Sequence, residues 1–163
     1  MAQFTVEKYI EAPREVVFDA ALDLHSAAEN IRGIEKLEVL TEGPIGLGTR
    51  FRETRIMFKK EATEVMEITV FERPSRYVFE AESHGSKYLT SYDLVQEGSG
   101  TKLVMVFSAE PQTFFAKVMG VVFSFMLKAC MKEVEKDLDD LKSVIEGRSP
   151  VEAEVSPSTA DLP

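Results

Sequence analysis

Apolar and polar residues alternate along most of the chain, and helical spacing interrupts that alternation twice. Residues 3–11 alternate through Phe4, Val6 and Ile10 and predict a first strand. After Ala12-Pro13, the residues Val16, Val17, Phe18, Ala20, Ala21 and Leu22 form a helical apolar stripe, with Pro13 suited to the first turn. Ser26 and Glu29 have capping-box spacing for a second short helix over 26–31, ended by Gly33. Alternation then predicts strands at 34–41, 49–58, 61–72, 76–82, 87–96 and 101–109. Their connections are the glycine-rich stretch 42–48, Lys59-Lys60, Arg73-Pro74-Ser75, 83–86 and 97–100. Connections this short suit an antiparallel meander and leave no room for parallel crossovers. From Thr113 to about Glu146 the pattern is one long helix. Its C-terminal half carries a narrow stripe of Cys130, Met131, Val134, Leu138, Leu141 and Ile145, whereas 114–127 is apolar almost all round. Gly147 is placed to end it.

This order predicts an α+β fold, a seven-stranded antiparallel sheet curled around a long C-terminal helix, with two short helices after the first strand. One domain spans 1–147. Residues 148–163, rich in Pro, Ser and acid, predict a disordered acidic tail. With 163 residues, 44% apolar and 29% charged, the composition is that of a single globular domain. A net charge of −9 argues against nucleic acid and anionic membranes as partners. The longest mainly apolar run, 118–127, has ten residues, against roughly twenty for a span, so no stable membrane insertion is expected. The N-terminal sequence has no secretory pattern, and the lone Cys130 cannot form an intrachain disulfide. A cytoplasmic setting is expected.

Strand alternation assigns faces. Tyr77, Phe79 and Ala81, then Tyr88, Thr90, Tyr92 and Leu94, then Leu103, Met105 and Phe107 point inward, and Met66, Ile68 and Val70 join them from the preceding strand. Opposite stand Phe115, Met119, Val122, Phe123 and Met126 of the long helix. Such a set either fills an ordinary core or lines a cavity, and seven methionines and eleven phenylalanines would give a cavity pliable walls. If Lys59-Lys60 forms the hairpin turn, Arg55 faces Glu64, with Phe51 and Met57 beside the one and Met66 beside the other. An inward Arg55–Glu64 pair would give the interior a polar end for a ligand carboxylate or hydroxyl; a bulge in either strand would turn both to solvent.

Little in the sequence points to bond-making chemistry. His25 lies between the short helices and His84 in a Ser-His-Gly turn, neither with a partner at fixed spacing. There is no HxxxH, HExxH or CxxC spacing for a metal, and no cofactor is implied. The loop 43–48 lacks the Lys-Ser/Thr ending of a phosphate-binding loop and leads into a strand. The apolar segment 114–127 lacks a basic face, which favours cavity lining or dimerisation over a membrane surface.

The segments YIEAPREVVFDAALD, GPIGLGTRF, ITVFERPSRYVFE and YDLVQEGSGTKLVM resemble the polyketide cyclase/dehydrase-like branch of the START/Bet v 1 (SRPBCC) superfamily, over residues 3–146. The resemblance implies a helix-grip fold around a deep cavity for a hydrophobic ligand. The expected ligand-binding set is Phe51, Arg55, Met57, Glu64, Met66, Phe79, Tyr88, Thr90, Tyr92, Met105, Phe107, Phe115, Met119, Phe123 and Met126. The expected partner is a lipid, isoprenoid or aromatic polyketide-like molecule, held for transport or sequestration by a monomer or homodimer. A cyclase/dehydratase-type enzyme using the same cavity and a protein-interaction module are the alternatives, because this superfamily hosts several activities.

Overall fold

Nine residues of period-two sequence form β1 (Ala2–Ile10), with Phe4, Val6 and Ile10 buried as the alternation requires. The computed structural model describes residues 2–147, apart from the side chains at 121–123 and 125, so the expected tail over 148–163 lies outside the described residues. Pro13 caps α1 (Arg14–Ala21), which buries Val17 and Phe18. Ser26 holds the N-cap position of α2 (Ala27–Asn30), but its side chain makes no capping bond, so the expected capping box is not formed.

Six strands follow: β2 (Ile34–Val39), β3 (Arg50–Met57), β4 (Lys60–Glu72), β5 (Arg76–Ser83), β6 (Ser86–Glu97) and β7 (Gly100–Pro111). They form one curled antiparallel sheet in the order β1-β7-β6-β5-β4-β3-β2, which is the helix-grip arrangement. The glycine-rich stretch 42–48 connects β2 to β3, and Gly48 (φ 84°) takes the left-handed backbone needed there.

The expected single long helix is two. Phe114–Phe123 forms α3, residues Ser124–Met126 make a 3-10 turn, and Leu127–Ile145 forms α4. The α4 stripe packs on β1 and α1, and with α1 it covers the inner face of the sheet. By contrast α3 packs chiefly against β7 and the 3-10 turn, which leaves Phe114, Phe115 and Val118 exposed.

Two register details correct the sequence expectations. The β3–β4 turn is Phe58-Lys59, both with positive φ (51° and 63°), and Met57 pairs with Lys60. Arg55 therefore pairs with Ala62, and Glu64 lies opposite Glu53. A shift of two positions preserves faces, so Arg55 still points inward. In β4, a bulge between Ile68 and Val70 inserts Thr69. Ile68 stays in the core, but Val70 pairs with Val78 on the outer face and Phe71 takes the inner place beside Tyr77. The expected inward Val70 is thus overturned by the bulge.

Candidate functional site

Alternation puts Phe51, Glu53 and Arg55 on one face of β3. The three occupy different depths: Phe51 is 1% exposed and belongs to the aromatic core, while Glu53 and Arg55 lie further along β3 toward its turn into β4. Arg55 Nε donates to Glu53 Oε1, and Arg55 Nη2 meets Asp137 Oδ2 of α4 at 2.7 Å. All three side chains are largely buried, with 22%, 15% and 16% exposed for Arg55, Glu53 and Asp137. Burial by itself would weaken the Arg55 charge, but the carboxylates of Glu53 and Asp137 outweigh it and raise its pKa. Burial also pushes the Asp137 carboxyl above its ordinary range, with Arg55 pulling the other way.

The helix supplies a second acid one turn on. Asp140, 2% exposed, accepts from the Arg32 backbone N–H at 2.9 Å and from the Arg32 guanidinium at 3.0 Å. Arg32 and Gly33 thereby hold the loop before β2 close against α4. A Cβ at Gly33 would lie 2.8 Å from Asp137 Oδ1 and 3.0 Å from Arg55 Nη1. Only glycine permits that approach without moving the ion pair.

Below the charges lies an aromatic floor. Tyr77 and Tyr92 stack with ring centroids 4.5 Å apart, Phe79 meets Tyr92 edge-on at 5.5 Å, and Phe51 meets Phe79 at 5.1 Å. Phe18 of α1 closes the group against Tyr77 at 5.5 Å. Burial raises the pKa of both tyrosines, and for Tyr92 the charges of Asp137 and Glu53 add to it. A pocket of about 100 Å3 runs between this floor and the α1–α2 segment, lined among others by Phe51, Glu53, Arg55, Tyr92 and Asp137.

The sequence matches the profile of the family described as polyketide cyclase/dehydrase and lipid transport over residues 1–146. The chain belongs to that family. Its fold is that of the START/Bet v 1 superfamily. A START superfamily protein from Mycobacterium smegmatis is 11% identical, with 90% of this chain and 99% of that one covered and a TM-score of 0.70. The protein TTHA0849 from Thermus thermophilus is 23% identical over 94% and 99% of the two chains, with a TM-score of 0.67. The di-domain ARO/CYC StfQ from the steffimycin biosynthetic pathway is 10% identical, with 90% of this chain and 51% of StfQ covered and a TM-score of 0.73. No curated protein sequence matches.

In this polyketide cyclase/dehydrase family member, Phe51, Arg55, Phe79 and Tyr92 of the expected set line the pocket. Tyr88, Thr90, Met105 and Phe107 share the inner face, as their register with Phe79, Tyr92 and Phe4 requires, but lie beyond the pocket wall. Met66 and Phe107 pack on the core, and Met105 is 2% exposed within it. Met57 and Glu64 lie toward the β3–β4 turn, and Glu64 is not the partner of Arg55. Phe115 is 71% exposed and does not line the interior, because α3 packs chiefly against β7 and the 3-10 turn and leaves this side chain outside. Met119 and Met126 are partly buried, while the side chains of Val122 and Phe123 lie outside the described residues.

Glu53, Tyr77 and Asp137 were not among the expected ligand-binding residues. Asp137 stands between Val134 and Leu141 on the apolar stripe of α4, a position that marks a charged residue as inward-facing. His84 is exposed and bonded to Ser83 at 2.6 Å in a surface turn apart from this pocket, and His25 is exposed. Burial raises the pKa of the Cys130 thiol. Among the described residues no group of three or more His, Cys, Asp and Glu could hold a metal ion, and no helix is long and apolar enough to cross a membrane.

Proposed function

We propose that the protein binds a small hydrophobic molecule of lipid, isoprenoid or aromatic polyketide-like type, for transport or sequestration. The observation that carries this reading is an aromatic-floored pocket closed at one end by a buried, hydrogen-bonded charge cluster. Apolar surface with a few oriented polar groups is the usual make-up of a small-molecule site. The pocket is smaller than the roughly 300 Å3 at which such sites begin. A whole ligand therefore needs further room, which Met57, Met66, Tyr88, Phe107, Met119 and Met126 would yield by changing rotamer as α3 shifts. A cytoplasmic setting and a monomer or homodimer belong to the same reading.

A cyclase/dehydratase-type enzyme is the second reading. It is favoured by one observation, a carboxyl of raised pKa (Asp137) lining the same pocket as Tyr92. Native mass spectrometry of freshly purified protein tests the first. A persistent extra mass lost on denaturation supports it and counts the subunits. A clean mass together with no uptake of neutral hydrophobic dyes overturns it.

A further inference from the structure

The charge balance of the pocket selects a head group. Arg55 uses Nε on Glu53 and Nη2 on Asp137, and its Nη1 abuts Gly33. Both edges of the guanidinium that could grip a carboxylate in two-pronged fashion are therefore taken. Two carboxylates face one guanidinium, and Glu64 stands across the ladder from Glu53 on the same face. An incoming carboxylate would be desolvated beside like charge with no free cation to meet it. An ammonium would have to settle beside Arg55, which the same burial makes costly.

Among the polar groups that line the pocket, which include Asp23, Asn30 and Tyr77, two next to the ion cluster bear on this choice. The Tyr92 hydroxyl forms no hydrogen bond with another described residue and is not sealed from the pocket it lines. The Asp137 carboxylate lines the same pocket; its Oδ2 meets Arg55, and its Oδ1, which lies toward Gly33, accepts no hydrogen bond from a described residue. One is a donor and acceptor, the other an acceptor, on the same small cavity.

Resting on the ligand-binding reading above, we propose that the pocket takes the neutral hydroxyl of an alcohol or phenol and rejects carboxylates. The ligand O–H donates to Asp137, and its oxygen accepts from Tyr92. The ligand body lies on the Tyr77–Phe79 floor, where ring stacking supplies the remainder.

Naphthalene, naphthol and naphthoate, titrated calorimetrically into the full chain at neutral pH, separate the possibilities. Naphthol should bind at least about tenfold more tightly than either of the others. Tyr92→Phe should erase the advantage of naphthol over naphthalene, read as the ratio of the two affinities in the same variant. Asp137→Asn, close to isosteric, should free one edge of Arg55 and raise naphthoate affinity by about tenfold. Equal binding of naphthol and naphthoate to the native protein, or no gain for naphthoate in Asp137→Asn, overturns the inference while naphthalene binding leaves the broader reading standing. If none of the three binds, the ligand-binding reading itself falls.

Discussion

Arg55 on β3 and Asp137 on α4 meet at 2.7 Å, and their contact ties the sheet to the long helix at one end of the pocket. The pair is buried with a second carboxylate, Glu53, on the same guanidinium. Replacing Arg55 by Met leaves two acids in a largely dry site, so the loss of stability should be about 3 kcal/mol near neutral pH, measured by urea unfolding. The loss should shrink with acid. The folded-state pKa of Asp137 is raised, so its favourable contribution is full below the ordinary carboxylate value and is lost as pH rises through the folded value. Without Arg55 that folded value rises further. The difference between variant and native protein should therefore narrow from about pH 7 to about pH 5. A gap that stays constant or widens would contradict this account.

Gly33 gives a steric test of the same cluster. Its φ is not in the left-handed region, so Gly33→Ala brings no backbone strain, only a methyl 2.8 Å from Asp137 Oδ1. The ion pair must yield, and the expected cost is about 1–3 kcal/mol in denaturant unfolding. Gly46→Ala, where a Cβ meets nothing within 4 Å, serves as the control.

Thr113 caps α3, accepting from the Ala116 N–H at 3.1 Å. Because α3 packs chiefly on β7 and the 3-10 turn and little on the rest of the fold, Thr113→Ala should act locally. Amide exchange at 115–120 should accelerate by about fivefold, as a cap worth about 1 kcal/mol implies. The global unfolding midpoint should scarcely move. A large global loss would show that α3 is integral to the core.

Asp19 on α1 receives both Nε and Nη2 of Arg73 at 2.8 Å, bridging the helix to the β4–β5 turn. Hydrogen bonding to Arg73 holds the Asp19 pKa below its usual range. Its stabilising share is therefore present above the ordinary carboxylate value and lost as pH falls through the folded one, opposite in sign to Asp137. Both side chains are about half exposed, which keeps the Asp19→Asn loss under about 1 kcal/mol and makes it fade with added salt.

The fold was legible because the strands alternate cleanly and the turns are short. Tyr88, Thr90, Tyr92 and Leu94 share the inner face that their spacing implies. Three features were not legible, each for a physical reason. Phe58 and Lys59 adopt left-handed backbone without glycine or asparagine to announce it, so the turn read one position late. The helix breaks at Ser124–Met126 without proline or glycine at the break. The Arg55 partners were missed because a wrong register pointed to Glu64, while Asp137, charged and amid lysines and acids, was not singled out. The face of Arg55 itself was safe from that error, because alternation with Phe51 along β3 sets it whatever the pairing with β4.

The Thr69 bulge also changes what a deletion means in this strand. Before it, even-numbered residues (Glu64, Met66, Ile68) face the helices; beyond it the inner place passes to odd-numbered Phe71, whose ring sits 5.3 Å from that of Phe18. The strand thus carries a phase slip, and everything C-terminal to position 69 is written in the other parity. Losing Thr69 would not turn the strand over: Ile68, Val70 and Phe71 would then alternate plainly with the Phe71 ring still against Phe18, whereas straightening the strand with Thr69 kept in the ladder would turn that ring out to water.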